Sequence, residues 1–527
     1  MTRFLNILIF ILIITFFAAC STDKKEPKNK NQLIFASTKD IRDINPHLYR
    51  GEMAAQNMVF ESLVINTEEG IKPWLAKSWD ISKDGKNYTF HLRDNIFFSD
   101  GTAFTAEVVK KNFDAVMENR IRHSWMELIN EINYTEVIDP YTFKINLKNA
   151  YYPTLIELSL TRPFRFISPN CFKNNKTKDG VNCYIGTGPW ILKEHKKNNY
   201  TLFEENKNYW NIKPKITSVK WRVIPDHQSL IFALEKGEID LIFGSDGDMI
   251  DLNVFTMLEK NKKYSTILSN PIASRTIVIN TNREITKDIK VREALEYAID
   301  KKSIVSGILN GTEKIADTLF SKNIPYSNIP LSIKEYETKK ANEILEKDGW
   351  ILNKETKIRE KDNKQLHIKL YYNAKNAQEK IISEYIQSNL KDIGIKLSII
   401  GEEKQTFLDR QRSGDFDLVY SLSWGAPYDP QSYISSWRAL SHSDYQAQLG
   451  LAKKEWLDNQ IKAILLETNE KNRERMYYEI FKYIHDQYVY IPLSYSRTKA
   501  VFNPNLKGVT FNISQYEIPF EKFYFEE

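Results

Sequence analysis

Short catalytic and metal-binding motifs are missing from this chain of 527 residues. No Gly-x-Ser-x-Gly elbow, His-Glu-x-x-His pair or phosphate-binding loop occurs, which argues against the enzyme classes that depend on them. The eight histidines form no close His-x-His or His-x-x-x-His pair. An all-protein transition-metal site takes three or four ligands, and the sequence indicates none.

Strong charge of one sign is also lacking, since the formal net charge is only +6. No basic stripe interleaved with aromatics is present, so nucleic-acid binding is not expected. The segment Ser441-His442-Ser443-Asp444 contains hydrolase residue types, but adjacent residues cannot form a triad. We therefore expect a protein that is not an enzyme and uses no catalytic cofactor.

The N-terminal apolar run is too short to indicate a membrane span. It lies between Arg3 and Phe17 and ends in Ala18, Ala19 and Cys20, which is the layout of an export signal. The small-small-Cys ending resembles a bacterial lipobox, with Phe17 where Leu is usual. We expect residues 1–19 to be a signal peptide and Cys20 to be the lipidated first residue. A retained anchor helix is the alternative, and both place the chain outside the cytoplasmic membrane.

Residues 20–32 contain no large apolar side chain after Cys20 and are predicted to form a lipidated tether. The cysteines that remain, Cys171 and Cys183, lie about a dozen residues apart. In an oxidising compartment such a pair predicts a disulfide, and a Cys–Cys metal site is the less favoured alternative.

About 500 residues remain after the signal, too many for one hydrophobic core, so at least two domains are expected. Strand-like runs such as LIFAS (33–37) alternate with amphipathic helical segments such as AEVVKKNFDAVMEN (106–119). Between the turns SKDGK and FSDGT the pattern predicts a β meander. The mixture favours an α/β protein of two lobes.

Several segments together resemble a known family. LAKSWDISKDGKNYTFHLRDNIFFSDGTAF, IGTGPWIL, ALEKGEIDLI and KVREALEYAIDKKSIV are similar to recurring segments of the peptide/nickel class (family 5) of extracytoplasmic solute-binding proteins. These proteins are the capture subunits of ABC importers. The resemblance implies a two-lobed periplasmic-binding-protein fold, class II and cluster C-like, with an extra subdomain in the first lobe. It places lobe I at 33–270 plus 497–527, the extra subdomain at 71–189 and lobe II at 271–496.

Within that class, WGAPYDPQSYISSWRALSHSDYQAQLGLAKK (424–454) is similar to the nickel-binding branch, as are segments 44–64, 113–129 and 158–169. The resemblance implies capture of Ni(II) already held by a small organic chelator, such as free histidine or a polycarboxylate. His442 matches the position of the direct metal ligand. The aromatics of the 421–450 loop would then be walls of the cleft between the lobes.

Further positions match the family's ligand pocket. Arg122 and Arg162 match carboxylate-binding arginines, for which the planar guanidinium is suited. The remaining matches are cleft-wall residues: Trp125, Trp424, Tyr428, Tyr49 and Met53. The loop before Tyr49 and Met53 is one residue shorter than the family pattern, and Tyr516 stands where a pocket threonine is usual. Arg120 and Arg165 are interpreted as surface or structural charges.

Other functions stay open at this point. A peptide-binding or a metallophore- or haem-binding protein of the same class would have the same fold. Peptide-binding relatives place an aspartate where this chain has Pro427, although Asp429 lies nearby. A ligand sensor or an exported hydrolase is a third possibility. The expected partners are the chelated nickel, the permease subunits and, through a lipid anchor, the membrane; the chain itself is expected to be a monomer.

Overall fold

The computed structural model describes residues 31–244, 249–440 and 442–526. The predicted signal peptide, Cys20 and most of the tether lie outside these residues. Within them, every helix is too short or too polar to cross a membrane.

The first of two large sheets has seven strands and begins with the N-terminal strand Gln32–Ser37. Leu33 and Phe35 of this strand are buried, as the apolar run LIFAS predicts. Strand Gln32–Ser37 pairs in parallel with Ser218–Val223. The order across the sheet is Trp190–Lys196, Tyr200–Glu205, Ser218–Val223, Gln32–Ser37, Leu241–Gly244, Lys499–Phe502 and Ser265–Leu268.

The second large sheet has six strands, and its central strands are buried along their whole length. Ala273–Ile279 and Tyr490–Ser496 contain only buried residues, as expected for strands covered on both faces. The order is Lys314–Ile315, Tyr490–Ser496, Ala273–Ile279, Leu418–Leu422, His367–Asn373 and Lys396–Glu402.

The chain passes between the two sheets twice, and the two passages lie side by side. One passage follows Leu268 and the other follows Ser496. Ser269 N donates to Thr498 O at 3.0 Å, and Ile272 N donates to Ser496 O at 2.9 Å. The connections therefore form a paired two-strand crossing rather than two independent linkers.

A four-stranded antiparallel sheet occupies the region of the predicted meander. Its strands are, in order, Ala76–Ile81, Asn87–Leu92, Thr142–Leu147 and Ile132–Asp139. Helix Ala106–Glu118 packs on it through Val109, Phe113 and Val116, which are buried at helical spacing. Three small sheets have two strands each and pair Val64–Thr67 with Gly70–Pro73, Phe172–Lys173 with Lys176–Val181, and Leu506–Lys507 with Tyr524–Phe525. A further small sheet has three strands, Ile351–Leu352, Arg359–Lys361 and Lys364–Gln365.

Several helices begin at residues suited to start them. Asp226, Asn376 and Asn469 each accept a hydrogen bond from a backbone N–H of the first turn. The α-helices of the described residues are Met53–Val59, Ala106–Glu118, Glu127–Glu131, Thr154–Leu158, His227–Glu235, Leu252–Asn261, Ile289–Ala298, Lys301–Ser303, Thr338–Lys347, Ala377–Asp392, Lys404–Ser413, Gln431–Ser436, Ser443–Gln448, Lys454–Leu466 and Glu470–Asp486. Short 3₁₀ turns occur at Arg120–His123, Pro169–Cys171 and Phe520–Lys522, and a π-helical turn at Ile304–Ile308.

Each large sheet has its own core, and a third core joins distant parts of the chain. This third core extends from the four-stranded sheet to helices Lys454–Leu466 and Glu470–Asp486. The mixed α/β architecture expected from the sequence is confirmed.

Candidate functional site

The segment after strand Leu418–Leu422 folds back on itself and directs its aromatics inward. Asp429 Oδ2 accepts hydrogen bonds from Ser423 Oγ at 2.6 Å and from Gly425 N at 3.0 Å. Gly425 has φ +77°, a conformation that favours glycine. The turn therefore holds Trp424 and Tyr428 in defined positions on either side of Gly425.

Two aromatics that the sequence places on cleft walls are instead core residues. Tyr433 and Trp437 are fully buried, and the Trp437 ring stacks on Tyr490 at 5.6 Å. The segment 421–450, expected to be a loop, contains the helix Gln431–Ser436 and is largely buried. Large aromatics are usually buried, and here that tendency decides the outcome.

Trp424 and Tyr428 meet aromatics from remote parts of the chain. The Trp125 ring centre lies 6.0 Å from that of Trp424 and 6.3 Å from that of Tyr428. The Tyr516 ring centre lies 6.0 Å from that of Tyr428. The Tyr428 hydroxyl lies 3.9 Å from the Met53 sulfur. These five side chains form an aromatic and thioether wall.

Tyr49 extends this wall towards the two arginines. The Trp125 indole N–H donates to the Tyr49 hydroxyl at 2.8 Å, and that hydroxyl is hydrogen-bonded to His123 Nδ1 at 2.5 Å. The Arg162 and Arg122 guanidinium carbons lie 5.1 Å and 5.9 Å from the centre of the Tyr49 ring. Both guanidinium groups thus lie near the Tyr49 ring, and cation–π attraction favours such contacts.

Neither of these arginines has a carboxylate partner among the described residues. Arg162 Nη1 donates to Gly51 O at 3.2 Å, and no ion pair in residues 31–244, 249–440 and 442–526 involves Arg162 or Arg122. Arg122 is exposed and Arg162 half-buried; burial lowers the pKa of Arg162. Arg122 and Trp125 do not share a helix, because Arg122 lies in the 3₁₀ turn Arg120–His123 and Trp125 follows it. Unpaired guanidinium groups are suited to bind the carboxylates of a ligand.

Arg165 differs from both. Its guanidinium is buried, donates to the carbonyls of Leu160 and Phe60, and pairs with Glu517 at 3.1 Å. Of the two interpretations given for Arg165, a structural charge fits this buried position. A surface charge does not fit it.

His442 is held by a buried carboxylate. Its Nδ1 lies 2.7 Å from Asp444 Oδ2, and its side chain is 23% exposed. The Asp444 N–H also lies 3.4 Å from Nδ1, but the carboxylate oxygen is the closer partner, so Nδ1 carries the hydrogen. The ring centre lies 6.1 Å from those of Trp424 and Tyr433. The lone pair on Nε2 is then available to an outside ligand.

Asp444 is itself satisfied by several donors. It is fully buried and accepts hydrogen bonds from Tyr433 at 3.0 Å, Tyr490 at 2.6 Å and Ser443 at 3.1 Å. Burial acts to raise the pKa of this carboxyl, but the attraction of His442 and the donated hydrogen bonds outweigh it and hold the pKa below its usual range. Asp444 is therefore an anion at neutral pH and fixes the orientation of the imidazole.

The structure brings the predicted pocket residues together. Contacts connect Tyr49, Met53, Arg122, Trp125, Arg162, Trp424, Tyr428, His442 and Tyr516 in a single group. Sequence reasoning missed His123 and Asp444, which orient Tyr49 and His442. The spacing of Asp444 two residues after His442 was a signal for one of them. His123 gave no local signal, because it meets Tyr49 only through the fold.

Cys171 and Cys183 lie elsewhere and form a disulfide across the hairpin that follows Pro169. No group of three or more His, Cys, Asp and Glu side chains in residues 31–244, 249–440 and 442–526 is placed to hold a metal ion. One imidazole and two guanidinium groups suit a metal that arrives with its own chelating ligands.

Comparisons with known proteins identify the family to which the chain belongs. Residues 70–445 match the model of the bacterial extracellular solute-binding proteins, family 5 middle. The chain is 43% identical over 506 residues to the nickel-binding periplasmic protein of Escherichia coli strain K12, covering 96% of both chains.

Two solved structures bear on the site. NikA from Brucella suis in complex with Fe(III)-EDTA superposes with a TM-score of 0.92 at 43% identity, over 95% of this chain and 100% of that one. NikZ from Campylobacter jejuni in complex with Ni(L-His) gives a TM-score of 0.77 at 26% identity, over 94% and 99%. Both of those proteins hold a metal bound by an organic chelator.

Proposed function

Because the chain belongs to the family 5 bacterial extracellular solute-binding proteins, we propose that it captures Ni(II) as a complex with a small organic chelator. Solute-binding proteins of this class bind a ligand for an ABC importer, and no catalytic step is assigned here. The proposal rests on the placement of His442, whose Nδ1 lies 2.7 Å from the buried carboxylate of Asp444. The same pocket contains two arginines, Arg122 and Arg162, without carboxylate partners among the described residues.

The three polar groups have separate roles. His442 offers Nε2 to an open coordination position on the metal, since its other nitrogen is occupied by Asp444. Arg122 and Arg162 bind carboxylates of the chelator, and the Tyr49 ring contacts both guanidinium groups. The walls formed by Trp125, Trp424 and Tyr428 exclude water, which strengthens each polar contact.

The proposal includes closure of two lobes over the ligand. We assign lobe I to 33–270 plus 497–527, with the extra subdomain at 71–189, and lobe II to 271–496. The paired crossing at 269–272 and 497–498 serves as the hinge. Trp125 then belongs to lobe I and Trp424 and His442 to lobe II, so a ligand that contacts all three binds the closed form better.

Delivery completes the proposed cycle. The mature chain is anchored by a lipid on Cys20, with residues 21–32 as the tether, on the outer side of the cytoplasmic membrane. A monomer in the closed form docks on the permease subunits of the importer. No membrane-spanning helix is needed for this arrangement.

Peptide capture is the competing function within the family, and two positions count against it. Pro427 offers neither a charge nor a backbone donor where peptide-binding relatives place an aspartate. Asp429 is turned into its own loop, where it binds Ser423 and Gly425, and burial raises its pKa to about 7. It is therefore a poor partner for a peptide ammonium group.

Calorimetric titration tests the proposal. The purified protein is titrated with Ni(II), with and without excess L-histidine, as wild type, His442→Ala and the surface control His227→Ala. We expect tight binding that requires the chelator, persists in His227→Ala and is lost in His442→Ala. Binding that ignores His442, or heat from peptides alone, would replace nickel capture by peptide or other metallophore capture.

A further inference from the structure

One ion pair connects the chain segment that carries Trp125 with the segment that carries His442. Arg438 Nη2 lies 3.8 Å from Glu127 Oε2. Glu127 follows Trp125 by two positions, and Arg438 precedes His442 by four. In the lobe assignment proposed above, Glu127 belongs to lobe I and Arg438 to lobe II, so this pair spans the two lobes beside the pocket.

Glu127 is the first residue of the helix Glu127–Glu131 and has firmly held neighbours. Met126 and Leu128 on either side of it are fully buried. Leu128 N donates to the carboxylate of Glu157 at 3.0 Å, which fixes the start of the helix. The Glu127 side chain is 32% exposed. Its carboxylate therefore projects from a rigid part of lobe I.

Arg438 lies in the turn between the helix Gln431–Ser436 and His442. Its backbone N–H donates to Ser435 O at 3.2 Å, and Nη2 donates to Ser435 Oγ at 3.1 Å. Its Nε is buried without a hydrogen-bond acceptor among the described residues. The contacts inside lobe II thus use only part of the guanidinium group, and its carboxylate partner, Glu127, comes from the other lobe.

The separation of Arg438 and Glu127 suits a contact that forms on closure and breaks on opening. At 3.8 Å the two groups attract as charges but lie beyond hydrogen-bond distance. When the lobes are closed, the surrounding protein excludes part of the water and strengthens the attraction. When they open, both groups return to water, so separating them costs little.

Arg438 differs in role from the two arginines of the pocket. Arg122 and Arg162 have no carboxylate partner among the described residues and are left to bind the ligand. The charge of Arg438 instead faces a carboxylate of the protein. Its role is therefore to act on the lobes rather than on the chelator.

We propose that Arg438 and Glu127 form an interlobe latch, which holds the lobes closed over the bound complex and slows its release. The latch rests on the proposed function, since it requires two lobes that close over a ligand. Arg438 is then a positioning residue, and its loss should change the rate of release more than the rate of capture.

Release kinetics of the purified protein test the latch. Radiolabelled nickel–histidine is bound and then chased with excess unlabelled complex, for wild type, Arg438→Gln and Glu127→Gln. We expect each variant to release the label about fivefold faster than wild type, with an unchanged association rate. The control Arg412→Gln removes an exposed ion pair with Asp409 inside lobe II and should release the label at the wild-type rate.

Combined substitutions separate a latch from local packing. The double variant Arg438→Gln with Glu127→Gln should release the label no faster than either single variant. The exchanged pair, Arg438→Glu with Glu127→Arg, should recover most of the wild-type retention. High salt should accelerate release from wild type towards the rate of the variants.

Two kinds of failure are distinguishable. If wild type binds nickel–histidine but neither single substitution changes its release, or if the two substitutions act additively, the latch is overturned and nickel capture stands. If wild type binds neither nickel–histidine nor Fe(III)-EDTA, the proposed function is overturned and the latch with it.

Discussion

At the scale of single residues, the pocket depends on side chains that position others. Asp444 holds His442, and His123 holds Tyr49, yet neither would contact the ligand in the proposed complex. Outer partners of this kind set the tautomer and direction of a metal-binding imidazole. The residues that bind and the residues that orient are therefore separate sets.

Asp444→Asn should weaken binding of the nickel–histidine complex by about 10- to 100-fold. The amide cannot accept the Nδ1 hydrogen at its nitrogen, so the imidazole loses its fixed tautomer. Calorimetry gives the affinity, and thermal unfolding reports any loss of the hydrogen bonds from Tyr433 and Tyr490. Asp486→Asn, at an exposed ion pair with Lys482, is the control. Unchanged affinity in Asp444→Asn would show that His442 needs no such support.

A buried histidine makes the fold sensitive to acid. His47 Nε2 donates to Arg165 O at 3.1 Å and Nδ1 accepts from Thr177 at 2.9 Å, so both nitrogens are used by the neutral ring. Burial lowers the pKa of His47 to about 4. The unfolded chain therefore binds a proton below pH 6.5 that the folded protein refuses until about pH 4.

The contribution of His47 to the free energy of unfolding should therefore have its full value above pH 6.5. It should fall by roughly 3 kcal/mol between pH 6.5 and 4. Carboxyl groups with raised pKa values, such as Asp429, have the opposite effect on how the free energy of unfolding depends on pH. The measured quantity is therefore the difference in that free energy between wild type and His47→Gln. Urea unfolding at pH 7.5 and 4.5 should show a smaller acid loss in His47→Gln. His91→Gln, on the surface, should behave as wild type; equal losses in all three would contradict the assignment.

At the scale of elements, the hairpin Phe172–Lys173 with Lys176–Val181 has few strand pairs and is closed by a disulfide. Closing a loop of this length removes conformations from the unfolded chain. Replacing both cysteines with serine should lower the free energy of unfolding by about 2–3 kcal/mol. Urea unfolding measures the loss, and wild type under reducing conditions should match the double variant. Equal stability of oxidised and reduced wild type would exclude a stabilising role.

The segment before Glu517 places Tyr516 against Tyr428, at a position where the resemblance to the nickel-binding branch implies a threonine. Tyr516→Thr should enlarge the pocket and shift preference by roughly tenfold towards a bulkier chelate such as Ni-EDTA over nickel citrate. Tyr516→Phe keeps the volume and serves as the control. Competition calorimetry compares the two chelates; the same preference in all three proteins would mean that Tyr516 does not shape the pocket.

At the scale of the whole molecule, the third core joins parts that belong to different proposed lobes. Tyr152 lies close to the four-stranded sheet, and its hydroxyl meets that of Tyr477 at 2.5 Å. The Arg473 guanidinium lies 4.5 Å from the centre of the Tyr152 ring. These contacts should help to hold the lobes together.

Tyr152→Ala should therefore disfavour the closed form and weaken ligand binding several-fold without touching the pocket. In the presence of nickel–histidine, small-angle scattering should give a larger radius of gyration for Tyr152→Ala than for wild type. Tyr134→Ala, at an exposed position on the same sheet, provides the comparison. Identical scattering of the two variants would place the closing contacts elsewhere.

The sequence alone determined the features that local pattern encodes. Apolar periodicity predicted the strand at LIFAS and the helix 106–118, and long matching segments predicted the fold and the residues proposed for the pocket. These signals are readable because strand and helix periods bury one face whatever lies opposite.

Only the tertiary structure decided which residues meet. It buried Tyr433 and Trp437 in the core and placed Asp444 beside His442. It also brought Met53 to Tyr428, 375 positions away. Contacts between remote positions leave no periodic trace in a single sequence, because they depend on how the completed elements pack.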